Sequence, residues 1–167
     1  MSQLSKEELD KGVIASSAGN HAQGVALSAS FLKCRAVIVM PLTTPVMKVR
    51  AVESHKAEVI LFGETYDECY EKALDISKTE NLTFIHPFDD PEVIAGQGTI
   101  GLEILRQSQT PPDVIYIAVG GGGLIAGVSA YVKAIWPDTK IIGVEPEDAC
   151  AMTLSLKANE PIELESI

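Results

Sequence analysis

The stretch Val13-Ile14-Ala15-Ser16-Ser17-Ala18-Gly19-Asn20-His21-Ala22-Gln23-Gly24 opens on apolar and small residues and runs through hydrogen-bonding ones before an apolar stretch to Leu32. β-Branched residues followed by Ser, Gly and Asn read as a strand that stops at a tight turn into a helix. Such a turn leaves backbone N–H groups unpaired at the positive end of the helix, where a carboxylate or phosphate docks. Asn20 adds a neutral amide that donates to an oxygen without adding charge. A simpler reading gives Ser17 or Asn20 a capping role only. One Ser or Asn alone would favour that reading, but the run from Ser16 to Gly24 is more particular than a cap requires.

Outward from this stretch, short Val- and Ile-rich runs alternate with helix-length amphipathic ones. Candidate strands are Val13–Ser16, Ala36–Met40, 58–62, 83–86, 114–119 and 140–145. Ser5 and Glu8 read as a capping box, and so do Thr65 and Glu68. Thr44 reads as an N-cap followed by Pro45 as first helical residue, and Asp90 as another N-cap before Pro91. Tyr66, Cys69, Tyr70, Ala73 and Leu74 fall on one helical face. The β-α-β-α order predicts an α/β, three-layer fold: a mostly parallel sheet with helices on both sides. In such sheets ligands sit at the carboxyl ends of the strands, so the loops after strands carry the function.

A second such loop is Gly120-Gly121-Gly122-Gly123-Leu124, which follows the most apolar strand and opens a helix over 124–135. Consecutive glycines permit positive φ and close backbone approach, so successive amides can surround a phosphate. Gly121, Gly123 and Ala126 also fit the dinucleotide fingerprint, with Glu145 placed as a ribose-binding acid would be. This loop by itself therefore leaves a nicotinamide dinucleotide as a competing ligand.

The chain has 167 residues, 46% hydrophobic and 22% charged, with 13 basic against 23 acidic side chains and a formal charge of −10. This length and apolar content predict a folded chain of one domain, or two small ones, and argue against disorder. An acidic balance with no basic cluster argues against nucleic acid and anionic membrane as partners. Residues 114–132 carry no charge, but the glycines in their middle suit a buried strand and tight loop better than a membrane helix. The N-terminal residues alternate in charge, unlike a signal peptide. Cys34, Cys69 and Cys150 are too few and too scattered for a disulfide framework or a zinc site, which suits a reducing, cytoplasmic compartment.

Together the two loops resemble the fold-type II (tryptophan synthase β-like) pyridoxal-phosphate enzymes, and within them the threonine dehydratase and serine racemase branch. The run Ser17-Ala18-Gly19-Asn20-His21-Ala22-Gln23-Gly24 is similar to that branch's asparagine loop, and Val37-Ile38-Val39-Met40-Pro41 to its next strand. His86-Pro87-Phe88-Asp89-Asp90-Pro91, continuing through Ile94-Ala95-Gly96-Gln97-Gly98-Thr99, is similar to its inter-domain stretch. Gly120 to Leu124 is similar to its phosphate loop. His21 and the unbroken glycines favour the dehydratases over the related sulfhydrylases. Ala18, where racemases carry a second serine, disfavours racemisation.

The resemblance implies a small domain over residues 12–89 and part of a large domain over 90–167. It implies pyridoxal 5'-phosphate as cofactor, its phosphate held by the amides of Gly120, Gly121, Gly122, Gly123 and Leu124 and its ring oxygen by Asn20. Ser17, Ala18, Gly19 and His21 would hold the substrate carboxylate, and Phe88 would offer an apolar wall to a threonine methyl group. The reaction implied is dehydration and deamination of L-threonine, or of L-serine, to a 2-oxo acid and ammonia, in a homo-oligomer. The family's cofactor-bearing lysine lies in a Ser-Phe-Lys-x-Arg-Gly-Ala segment that is absent from these residues, so no catalytic residue is assigned and the chain by itself is expected to be inactive. Some relatives place a metal near Glu145. With Ala151 at the matching later position no metal site is expected, and Glu145 reads as a solvated carboxylate. A non-catalytic homologue acting as a partner subunit, or a dinucleotide-binding half-domain, are the alternatives.

Overall fold

A computed structural model describes residues 1–162 and Leu164. It divides into two compact units, Met1–Pro87 and Phe88–Ile167. The first contains α1 (Lys6–Lys11), β1 (Val13–Ser16), α2 (Asn20–Leu32), β2 (Ala36–Met40), α3 (Val46–Glu53), β3 (Glu58–Leu61), α4 (Tyr66–Thr79) and β4 (Thr83–Phe84). Its sheet has the order β3-β2-β1-β4, every pair parallel, with Val13 opposite both Ala36 and Thr83.

Side-chain alternation along the strands accounts for the layers. Ile14, Val37 and Val39 pack with Cys69, Ala73 and Ile76 of α4. Val13, Ala15, Ile38 and Met40 point to the other face and are just as completely buried, because α2 lies against β1 and β2 there. Parallel strands covered on both faces read as continuous apolar runs, which is how these two strands appear in the sequence. The capping boxes at Ser5/Glu8 and Thr65/Glu68 form as the spacing predicts.

Two local expectations change. Thr44 does not cap α3: Pro45, at ψ 135°, is still outside the helix, which begins at Val46. The Thr44 N–H instead closes a turn onto the Pro41 carbonyl at 3.0 Å, and its hydroxyl is buried without a partner. On α4 the buried stripe is Cys69, Ala73 and Ile76. Tyr66 lies at its exposed edge, against the Tyr70 ring with centroids 5.9 Å apart.

The second unit contains α5 (Pro91–Gln107), β5 (Val114–Ala118), α6 (Gly123–Ile135), β6 (Lys140–Val144), a 3-10 turn Glu147–Ala149 and α7 (Ala151–Ala158). β5 and β6 are parallel, Val114 opposite Lys140 through Ala118 opposite Val144. Asp90 caps α5, its carboxylate accepting from Glu92 and Val93 N–H at 2.8 and 3.0 Å, ahead of Pro91. Its core joins Ile117 of β5 to Val128 and Val132 of α6. α5 and α6 cross on glycines: a Cβ at Gly98 would lie 3.2 Å from the Gly127 carbonyl, and one at Gly127 would collide with the Ile94 carbonyl. No helix among the described residues is long and apolar enough to cross a membrane.

Candidate functional site

In the first unit the candidate residues gather where β1 ends and α2 begins. Ser16, the last residue of β1, is fully buried. The chain then turns through Ser17 and Ala18 to Gly19, the N-cap, and Asn20 is the first helical residue. No side chain caps this helix. Neither Ser17 nor Asn20 therefore plays the capping role that the simpler reading gave it, and the first-turn amides of Asn20, His21 and Ala22 have no carbonyl within the helix to bond.

Two of the expected carboxylate-holding amides are already engaged. Ser17 N–H donates to the Val39 carbonyl of β2 at 3.1 Å, and Gly19 N–H donates to Ser17 Oγ at 3.1 Å. Those bonds fix the turn. The Ser17 hydroxyl proton and the first-turn amides of α2 remain as donors to an anion. Asn20 is exposed at the mouth of this turn.

His21 is held by its ring. Its Nε2 lies 3.1 Å from the Ile85 carbonyl just past β4. A carbonyl accepts only from N–H, so the neutral ring carries its proton on Nε2. Burial holds the imidazole pKa below its usual value, with the nearby His86 acting in the same direction and the Ile85 carbonyl opposing. A neutral side chain committed to Ile85 leaves His21 its backbone amide as the group able to meet a ligand.

In the second unit, Gly120 to Leu124 join β5 to α6. Gly122 is the N-cap, at φ 89°, a left-handed conformation that glycine adopts without strain. No side chain caps α6, so the first-turn amides, those of Gly123 and Leu124 among them, point out of the helix end together with its positive dipole. The Leu124 side chain packs into the core, so this residue offers a ligand its backbone only. A Cβ at Gly120 would meet nothing within 4 Å, whereas one at Gly121 would strike the Phe88 ring and one at Gly123 would lie 2.6 Å from the Phe88 carbonyl. One side of the loop is open and the other rests on Phe88. A run of glycine amides at an uncapped helix N-terminus, open at Gly120, fits a phosphate group.

Glu145 caps a helix as well as facing solvent. One oxygen accepts from Met152 N–H at 2.9 Å, the other from Thr153 N–H and Oγ at 2.8 and 2.6 Å. The Thr153 hydroxyl and these amides hold its carboxyl below the usual carboxylate range. Both oxygens serve the start of α7, seven and eight residues on, a cap that no i to i+3 spacing reveals. The same bonds leave Glu145 poorly placed to grip a ribose. Among the described residues no group of three or more His, Cys, Asp or Glu side chains is arranged to hold a metal.

All of residues 1–167 match the model of a family described as pyridoxal-phosphate dependent enzyme. The chain belongs to the pyridoxal-phosphate-dependent enzyme family. It is 59% identical, over its full length, to a biosynthetic chloroplastic threonine dehydratase of Arabidopsis thaliana, and spans 28% of that protein. Among solved structures, the processed form of threonine deaminase isoform 2 from Solanum lycopersicum matches with a TM-score of 0.91 and 55% identity over 99% of this chain and 48% of that one. Maize serine racemase matches with a TM-score of 0.90 and 35% identity over 98% of this chain and 49% of that one. The fold-type II architecture and the threonine dehydratase resemblance are thereby shown. This family uses pyridoxal phosphate, and the uncapped glycine loop is the feature of this chain that suits it.

Two features escaped the sequence. The Glu145 cap joins residues with no local motif. The packing of Phe88 under the glycine loop follows from tertiary contact, although four consecutive glycines signal that something approaches them closely.

Proposed function

We propose that the chain is the cofactor- and substrate-holding portion of a pyridoxal-phosphate-dependent threonine dehydratase, converting L-threonine, or L-serine, to a 2-oxo acid and ammonia. The observation that carries this reading is the glycine loop, which leads into the uncapped start of α6 through a left-handed Gly122. The amides of Gly120 to Leu124 hold the cofactor phosphate. Asn20 donates its side-chain amide to the ring oxygen, a neutral donor that lets that oxygen keep its charge. The Ser17 hydroxyl and the amides of Ala18, Asn20 and His21 hold the substrate carboxylate, the bonds of Ser17 and Gly19 keeping the turn in shape. The cofactor, when bound, supplies the electron sink that stabilises the carbanion left by the α-proton.

None of the chain's lysines is buried: nine are exposed and Lys72, half-buried, pairs with Asp75 at 3.2 Å. A lysine that acts as nucleophile or base is desolvated. This supports assigning no catalytic lysine here and reading the isolated chain as inactive. We place residues 12–89 as the small domain and 90–167 as part of the large one. Self-association, and a reducing cytoplasmic setting suited to three free thiols, complete the reading.

A chimera tests it, with this chain replacing the matching segment of the Arabidopsis relative. Formation of 2-oxobutanoate and ammonia from L-threonine at a rate within about tenfold of the parent supports the reading, since equivalent sites exchange with small losses in transition-state binding. A correctly folded chimera that binds the cofactor but leaves threonine untouched contradicts it. For the isolated chain, borohydride reduction with pyridoxal phosphate should give only scattered lysine labelling; a single stoichiometric adduct would overturn the inactivity.

A further inference from the structure

The sequence resemblance assigns Phe88 to the substrate, as a wall for a methyl group. The geometry also places its ring against the glycine loop. A Cβ added at Gly121 would strike Phe88 Cγ and both Cδ atoms, and one at Gly123 would meet Phe88 O, Cα and Cβ at 2.6 to 3.0 Å. The loop also meets α7: a Cβ at Gly122 would lie 3.0 Å from Met152 Cε. Met152 is fixed in turn by its N–H bond to Glu145. Three successive glycines therefore rest on side chains or backbone from two other segments, and only Gly120 faces open space.

We propose that Phe88 is a positioning residue for the phosphate cradle: its ring is the floor that sets the curvature of Gly121 to Gly123 and so aims their amides at one point. The inference rests on the reading of this loop as a phosphate site. The physical case is steric. A four-glycine loop has the largest conformational entropy of any sequence and, left alone, would spread its amides over many orientations. A flat ring in van der Waals contact with Gly121, and the backbone of the same residue against Gly123, exclude most of those alternatives. Preorganised donors bind an anion without paying to order the loop at the moment of binding. Glycine at 121 and 123 is then required by the space that Phe88 occupies as well as by phosphate approach.

The test uses 4-deoxypyridoxine 5'-phosphate and 4-deoxypyridoxine, which lack the aldehyde and so do not label exposed lysines. Their affinities for the full chain are compared by calorimetry, and the ratio isolates the contribution of the phosphate. In the Phe88→Ala variant the phosphate advantage should fall by about tenfold or more, the equivalent of one hydrogen bond to a charged group, while binding of the unphosphorylated ring stays put. Phe88→Tyr, which keeps the ring, should retain the advantage. Gly121→Ala should abolish it in the Phe88 background but cost much less with Phe88→Ala, because the added methyl then has room.

A phosphate advantage unchanged in Phe88→Ala, with Gly121→Ala equally costly in both backgrounds, overturns the inference and leaves the cradle standing. So does an unchanged advantage accompanied by altered L-threonine binding, which would return Phe88 to the substrate. If the unaltered chain shows no phosphate advantage at all, the cradle reading fails and the inference with it. Circular dichroism confirms that each variant is folded.

Discussion

His21 illustrates how a residue picked out by a motif acquires a role that the motif does not state. Its position after Asn20 marks it as part of the anion-holding turn, but its side chain spans from α2 to the Ile85 carbonyl at 3.1 Å and stays neutral there. Because burial lowers its pKa in the folded chain, the unfolded chain binds a proton at higher pH than the folded one. The stabilisation is therefore complete above about pH 6.5 and is lost as the pH falls below that toward the folded-state value. His21→Ala should cost about 1–2 kcal/mol at pH 7.5, for one hydrogen bond with its acceptor left unpaired. The same variant should unfold in urea with a flatter pH dependence between pH 7 and 5 than the unaltered chain. An undiminished slope in the variant would assign that pH dependence to other groups.

Glu145 shows how β6 and α7 are joined. Its three hydrogen bonds replace the side-chain cap that α7 lacks from its own N-cap, Cys150. With the carboxyl held below its usual range, the anchor is complete above about pH 4.5 and is lost as the pH falls through the lowered value. Glu145→Ala should speed amide hydrogen exchange at Met152 and Thr153 severalfold at pH 7 while leaving β5 and the α6 core protected, since local opening follows local contacts. Unchanged exchange at those two amides would remove Glu145 from this role.

Most elements were legible in the sequence because their signals are local. The capping boxes at Ser5 and Thr65, the Asp90-Pro91 start and the Val- and Ile-rich strands each lie within a few residues of one another, and each forms as read. Two exceptions involve longer reach. Glu145 bonds across seven residues, and the crossing of α5 over α6 depends on glycines 29 positions apart, Gly98 and Gly127; at Thr44 a local turn onto Pro41 competes with the cap. Of the candidate site, the placing of two glycine- and asparagine-bearing loops after strands was legible. Which amides are spent on the turn itself, and what lies beneath the glycines, required the folded chain.

The two units differ in how well they cover their sheets. In the first, β1 and β2 are buried on both faces. In the second, Tyr116 of β5 is 68% exposed and Val144 of β6 50%. Parallel strands are ordinarily covered on both faces, and apolar strand surface left bare favours association. The chain should therefore sediment as concentration-dependent oligomers, and a Tyr116→Lys, Val144→Lys pair should shift it toward monomer. A monodisperse monomer at high concentration would show that this surface is tolerated in water.

In the proposed function Gly120 to Leu124 hold a cofactor phosphate and the turn at Asn20 meets a pyridine ring. The most direct measurement is an amide NMR titration of the isotopically labelled chain with 4-deoxypyridoxine 5'-phosphate. Saturable shifts at Gly120 to Leu124 and at Asn20 and His21, with the glycine-loop shifts absent for the unphosphorylated analogue, are the result predicted. Shifts confined to other residues, or glycine-loop shifts as large without the phosphate, would contradict it.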